Sequence, residues 1–426
     1  MYNPDWKIAT KCVQAGYEPK NGEPRVLPIY QSTTFKYDSA QEVGDLFDLK
    51  KEGFFYTRLA NPTVDAVEQK IAALEGGVGA MCTASGMSAA LLTVLTIMGA
   101  GDHILSAAAI YGGTTNLFTV TLPKVGIETT LFEPDVTEEE LRAMVRPNTK
   151  MIFIESIANP ALVIPDFEMF ARVAHENHIP LVVDNTFATP VNCRPFEWGA
   201  DLIIHSTTKY MDGHAAALGG CIVDSGKFDW NNEKFPGFIY PDESYHGMVY
   251  AKDCGEKAFI IKARAQMMRD LGAMASPMNA FLLNNGLETL PLRMERHCSN
   301  ALAVAKWLES NEKVAWVEYP GLESNKYYPL AQKYMPNGTC GVISFGLKGG
   351  REACVKWMDS VRLAAIVVHV ADTRTGVLHP ASMTHRQLTD EQLREAGVKP
   401  EGIRLSVGIE DVDDIIADLA QAFDKI

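Results

Sequence analysis

From residue 80 onward, short apolar runs alternate with segments of helical periodicity. The runs are 80–83, 102–106, 127–132, 151–155, 181–184, 202–205 and 220–223. They are short and largely apolar rather than strictly alternating, the pattern of strands buried on both faces. Helices between them would cover both sides, so the pattern predicts an α/β fold with a mostly parallel, seven-stranded sheet. Before this region, residues 1–62 show no sustained periodicity beyond a short helix near 39–49, and read as an extended arm. Such an arm cannot bury a core of its own, so it lies on the main domain or on a second subunit. A helix follows, with Asn61 or Thr63 as cap, an apolar stripe of Val64, Val67 and Ile71, and a stop at Gly76-Gly77.

Residues 225–265 are aromatic, Gly-bearing and irregular, and read as an insertion that covers something. The pattern turns helical over 277–309, with a long helix at 287–308 entering a second domain. Strands at 314–318, 340–345, 365–370 and 403–407, with helices at 351–360 and 411–424, predict a smaller α+β domain. The expected boundaries are an arm over 1–62, a large domain over 63–285 and a small domain over 286–426.

In parallel sheets ligands sit beyond the carboxyl ends of the strands. That rule gathers Ser85-Gly86, Tyr111, Glu155, Asp184 and Lys209 on one rim. The run 202–204 leads through His205-Ser206-Thr207-Thr208 to Lys209. A lysine held there loses charge by desolvation and becomes nucleophilic; alone, it reads equally as a strand cap pointing to solvent. Ala84-Ser85-Gly86-Met87-Ser88 between a strand and a helix is a natural anion site, or an ordinary tight turn. Asp184 closes its strand as a buried carboxylate in need of a cation, or as a turn residue. Tyr111 offers an aromatic face or core packing.

One cofactor asks for all of these. Pyridoxal 5'-phosphate needs a Schiff-base lysine, a phosphate site, a carboxylate at its pyridine nitrogen and an aromatic neighbour. Lys209, then Gly86 and Met87 N–H with the Ser206 and Thr208 hydroxyls, then Asp184, then Tyr111 supply them in order. Eight cysteines without a C-x-x-C pair suggest reduced thiols, and no metal site is expected. A net charge of −14 without any basic block argues against nucleic acid or an anionic membrane as partner. The apolar stretch 89–100 is too short to span a bilayer, and the N-terminal residues lack a signal-peptide pattern. A cytoplasmic enzyme is the expectation.

The motifs YTRLANPT (56–63), ASGMSAA (84–90), YGGT (111–114), ESIANP (155–160), VDNTFATP (183–190), HSTTKY (205–210), HPASMTH (379–385) and RLSVGIED (404–411) resemble the Cys/Met-metabolism family of pyridoxal-phosphate enzymes. The likeness runs from about residue 7 to the C-terminus and is nearest to the O-acetylhomoserine sulfhydrylase branch. It implies a PLP-dependent transferase of fold type I, a homotetramer built from dimers that share active sites. It also implies roles. Lys209 carries the cofactor and moves protons, Asp184 meets the pyridine nitrogen, and Tyr111 stacks on the ring and assists proton transfer. Gly86, Met87, Ser206 and Thr208 hold the phosphate, and Tyr56 and Arg58 reach the phosphate of a neighbouring subunit. Asn159 contacts the ring hydroxyl. Arg404 clamps the substrate carboxylate, with Tyr56, Asn159 and His369 also on the substrate side.

The implied reaction is γ-substitution on O-acetyl-L-homoserine by sulfide or a small thiol, in methionine and sulfur amino-acid metabolism. The alternative is γ-elimination on methionine, cystathionine or homocysteine, releasing 2-oxobutyrate and ammonia. Gly113 stands where the family's methionine γ-lyases carry Cys. Two stretches depart from the family pattern. Ala215, Ala216 and Ala217 replace Gly- and Thr-bearing sequence after Lys209, and the run from His369 to Gly376 replaces Asn-Val-Gly-Asp-Ala-Arg-Ser-Leu. His369 adds a titratable ring to the pocket wall, and Gly376 in place of Leu is expected to open it.

Overall fold

The structure, a computed structural model, describes residues 3–384, 386, 389–391 and 399–426. Its larger sheet contains β1 (Gly79–Thr83), β2 (His103–Ala107), β3 (Glu128–Phe132), β4 (Thr149–Glu155), β5 (Leu181–Asp184), β6 (Leu202–His205) and β7 (Gly220–Asp224), in the order β1-β7-β6-β5-β4-β2-β3. The seven apolar runs therefore form seven strands of one sheet. β2, β3, β4, β5 and β6 are parallel, and only β7 runs against its neighbours β1 and β6. Every residue of β6 and β7 is buried, because helices pack on both faces.

Local chemistry sets the helix ends that frame the site. Helix Pro62–Glu75 starts with proline in its first turn and an Asn61 side chain accepting from Thr63 N–H. It stops at Gly76, which takes φ +83°, the left-handed conformation that glycine adopts without strain. Helix Gly86–Ile97 is capped by Ser85, whose hydroxyl accepts from Ser88 N–H. The arm carries the expected helix, Ala40–Phe47, with Ser39 as cap, and an earlier one, Ile8–Gln14, that no periodicity announced.

A second sheet contains β8 (Val314–Glu318), β9 (Val342–Leu347), β10 (Ala365–Ile366), β11 (Gly376–Leu378) and β12 (Gly402–Ser406), ordered β10-β11-β12-β9-β8. It is antiparallel except for β10 beside β11. It has its own apolar core, with Trp357 and Phe345 edge-to-face at 5.5 Å. Helices Gly350–Met358 and Val412–Phe423 belong to it, near the expected ranges. All eight cysteines are free thiols. Among the described residues no helix is long and apolar enough to cross a membrane.

Four expectations need correction. The strand expected over 365–370 is two residues long, and the chain leaves the sheet at Val367 to carry His369 toward the other domain's rim. β11 was not foreseen; three residues are too few to show a period. The long helix expected at 287–308 is Leu290–Glu309, preceded by a separate helix, Pro277–Glu288. The stretch 225–265 is not irregular throughout, since it folds into short helical turns around Trp230. That ring stacks on Phe238 at 4.5 Å and on Phe259 at 5.4 Å. Aromatic packing between distant residues organises these turns, which a local period cannot report.

Candidate active site

β6 ends at His205, and the next residues wrap into a turn in which Lys209 N–H donates to Ser206 O and Gly213 N–H donates to Lys209 O. Thr207 and Tyr210 are buried on either side, and the Tyr210 hydroxyl accepts from Gly341 N–H at 2.8 Å. Lys209 is thereby held in a half-buried position at the rim. Burial, and then the nearby charge of Arg404, bring its ammonium down to about 8.

Beside it, β4 and β5 end in two carboxylates, Glu155 and Asp184, which are partners in register. Burial pushes both above the ordinary carboxylate range, and for Glu155 the charge of Asp184 adds to it. Glu155 accepts from Tyr111 N–H at 2.6 Å and from Asn159 N–H at 3.2 Å. Asp184 uses Oδ1 for the N–H and hydroxyl of Thr186, while Oδ2 takes no hydrogen bond among the described residues. A buried carboxylate is stabilised by a cation.

Ser206, in the turn after β6, stands against Gly86 at the N-terminus of helix Gly86–Ile97. The first N–H groups of a helix have no carbonyl within it. Gly86 is needed there: a Cβ would stand 2.7 Å from Ser206 Cβ and 3.1 Å from Ser206 Oγ. The Thr208 hydroxyl is engaged otherwise than expected. It donates to Gly219 O and accepts from Gly219 N–H, both at 3.1 Å, and so tethers a neighbouring loop.

The second sheet closes the site. Arg404, on β12, is 8% exposed and burial lowers its guanidinium to about 10. It donates to Asn159 Oδ1 at 3.4 Å and to Val368 O at 2.9 Å. His369, next along, has Nδ1 3.4 Å from Lys209 Nζ. Lys209, His369, Arg404, Asn159, Glu155, Tyr111 and Asp184 are thus linked step by step by contacts and strand register at one rim. The Tyr111 ring is 49% exposed, open to a ligand face. Tyr56 and Arg58 make their contacts with each other and with the segment around Arg269. The Arg58 guanidinium lies over the Tyr56 ring and donates to Arg269 O.

The stretch from His369 to Gly376 touches the residues just before Ala215. Thr373 N–H donates to Gly213 O at 2.9 Å, and Arg374 donates to His214 O at 3.0 Å. Ala215 sits at φ +55°, the region that favours glycine. Gly376 does not open the wall as expected. It is buried in β11, and a Cβ there would meet Val367 Cγ2 at 2.8 Å, so the valine fills that space. The last residue of the motif at 379–385, His385, lies outside the described residues.

Some site residues escaped the sequence reading. Glu155 was placed on the rim without a role, though it is a buried strand-end carboxylate like Asp184. Thr186 and Asp372 have the same kind of signal, a polar residue at the end of an apolar run.

The Cys/Met metabolism PLP-dependent enzyme pattern matches residues 9–424. The chain belongs to that family. Its cofactor is pyridoxal phosphate, and the chemistry of Lys209, Asp184 and the Gly86 cradle fits that group. The homocysteine synthase of Schizosaccharomyces pombe is 48% identical over 97% of both chains. The O-acetyl-L-homoserine sulfhydrylase of Leptospira meyeri is 42% identical over 99% of this chain and 98% of its own. A Campylobacter jejuni structure described as an O-acetylhomoserine (thiol)-lyase, with a lysine carried as N'-pyridoxyl-lysine-5'-monophosphate, superposes with a TM-score of 0.92. It is 37% identical and covers 98% of this chain and 100% of its own.

Proposed function

We propose that the chain catalyses γ-substitution on O-acetyl-L-homoserine by sulfide or a small thiol, giving homocysteine or a related thioether amino acid and acetate. The observation that carries this reading is the gathering of Lys209, Asp184 and Arg404 at one rim, in a chain 42–48% identical to the two relatives above. Bound pyridoxal phosphate supplies the electron sink for proton loss and γ-group departure. Lys209 holds the cofactor and then, as a free amine, moves protons at the α and β carbons. Asp184 pairs with the pyridine nitrogen and keeps it protonated. Gly86 and Met87 N–H with the Ser206 hydroxyl hold the phosphate, Thr208 buttresses the adjoining loop through Gly219, and Tyr111 covers the ring. Arg404 offers a planar fork for the substrate carboxylate, and Asn159 orients that fork.

Tyr56 and Arg58 serve the phosphate of a neighbouring subunit in a dimer with shared sites, and two such dimers make the homotetramer. The arm, the large domain and the small domain span 1–62, 63–285 and 286–426, and the enzyme works in the cytoplasm. The test is a product survey of O-acetyl- and O-succinyl-homoserine against sulfide, methanethiol and cysteine. A new thiol or thioether amino acid is expected from the acetyl donor. Only 2-oxobutyrate and ammonia would instead identify a γ-lyase.

A further inference from the structure

Lys209 faces a second titratable side chain. On the far side of the His369 ring from Lys209 Nζ, Nε2 lies 3.8 Å from Asp372 Oδ2. Nε2 is buried and has no hydrogen-bond partner among the described residues. Amine, imidazole and carboxylate therefore stand in line. Asp372 is 9% exposed and is fixed through Oδ1, which accepts from Arg374 N–H at 2.7 Å and Arg374 Nε at 3.4 Å. Its other oxygen is left toward the ring. The charged groups around His369 are Lys209 and Arg404 on one side of the balance and Asp372 and Asp212 on the other. Burial, and next the Lys209 charge, hold the imidazolium below its ordinary 6.5, so the ring is a neutral base at neutral pH. For Nδ1 to accept from the ammonium, the ring proton must sit on Nε2, where the carboxylate faces it.

Resting on the assignment of Lys209 as the cofactor lysine, we infer that His369 is the proton acceptor and donor for Lys209, with Asp372 as its positioning residue. In the step, an N–H bond on Nζ breaks and its electron pair stays on Nζ. The proton bonds to the lone pair of His369 Nδ1. Ammonium and imidazole become amine and imidazolium; the total charge is unchanged and the positive charge now lies beside Asp372. The transfer is uphill at rest, and the opposing carboxylate lessens the climb. The reverse step recharges Lys209. A lysine that moves protons at two substrate carbons must shed each proton before taking the next, and the ring gives a half-buried amine that route.

The test compares wild-type holoenzyme with H369N, H369Q, D372N and K209A. Substrate deuterated at Cα is turned over in ordinary water, and the label left in product and recovered substrate is measured by mass spectrometry. Wild type loses label to solvent; H369N and H369Q retain several-fold more. Their kcat falls roughly 100-fold, the low end of what a positioned base contributes, with KM little changed. In wild type kcat rises with pH as His369 loses its proton below 6.5. That acid limb disappears in the two His369 variants and moves to lower pH in D372N, where the ring has lost a stabilising charge. Wild-type label partition and an intact acid limb in folded H369N or H369Q would overturn the relay. If neither folds, D372N, which keeps the ring, decides by the position of its limb. Should K209A still form a borohydride-reducible adduct with pyridoxal phosphate and turn over, the assignment of Lys209 fails. Loss of that adduct, with His369 variants behaving as wild type, overturns the relay alone.

Discussion

At the scale of single residues, Asp184 and Glu155 place two buried carboxyl groups at neighbouring strand ends. Their ordinary values are 3.8 and 4.5, and burial raises both in the folded chain. A carboxyl raised on folding favours the native state below its ordinary value and loses that contribution as pH climbs through the raised one. In cofactor-free protein, Asp184→Asn should therefore raise Tm relative to wild type at pH 8, with the gap closing near pH 4. The same variant loses a charged hydrogen bond to the bound ring. Its cofactor affinity should weaken by about 1.5–3 kcal/mol, tenfold or more in Kd by spectroscopic titration. Ala215 offers a second residue-scale case. Left-handed backbone costs a side chain about 1–2 kcal/mol, and glycine returns about 0.4–1 kcal/mol of that through the unfolded chain. Ala215→Gly should stabilise by about 0.5–1 kcal/mol in urea melts. Lys209 and Asp184 were legible as candidates because each follows an apolar run. The role of Glu155 was not, because it depends on hydrogen bonds from Tyr111, 44 positions away, and from Asn159.

Among elements, the decisive contact is between the N-terminus of helix Gly86–Ile97 and the turn after β6. Gly86→Ala forces a Cβ against Ser206, so either the helix end or the turn must move. Affinity for pyridoxal phosphate should fall at least ~10-fold, as for a lost charged hydrogen bond. Affinity for pyridoxal, which lacks the phosphate, should change much less, and comparing the two by fluorescence titration isolates the anion site. β11 gives another test. Gly376→Ala brings a Cβ to 2.8 Å from Cγ2 of the exposed Val367, which can give way, so it should destabilise by only about 1 kcal/mol in chemical denaturation. The strands of the larger sheet were readable because full burial leaves a local signature of consecutive apolar residues. The path of 367–370 was not, since those apolar residues leave the sheet to deliver His369 and the pattern does not distinguish the two fates.

For the whole molecule, each sheet has its own apolar core, and the pocket is assembled where the second meets the rim of the first. Within this chain the arm's Arg58 lies over the Tyr56 ring and donates to Arg269 O. If these two residues complete a neighbour's site, mixing inactive Arg58→Ala and inactive Lys209→Ala proteins by denaturation and refolding should restore activity, because mixed dimers regain one intact site. Persistent inactivity of well-folded mixtures would count against shared sites.

The sequence by itself determined the strand and helix alternation, a cap at Asn61 or Thr63, and the candidate amine, carboxylate and anion turn. Those are local features, written in runs of a few residues and the periods of helix and strand. Only the tertiary structure decided which of them meet. Lys209 and His369 are 160 positions apart and Asn159 and Arg404 are 245 apart. No period in the chain encodes such a distance. It follows from the strand order, which puts several carboxyl ends on one rim, and from the second sheet packing over that rim with Arg404 and His369 facing in.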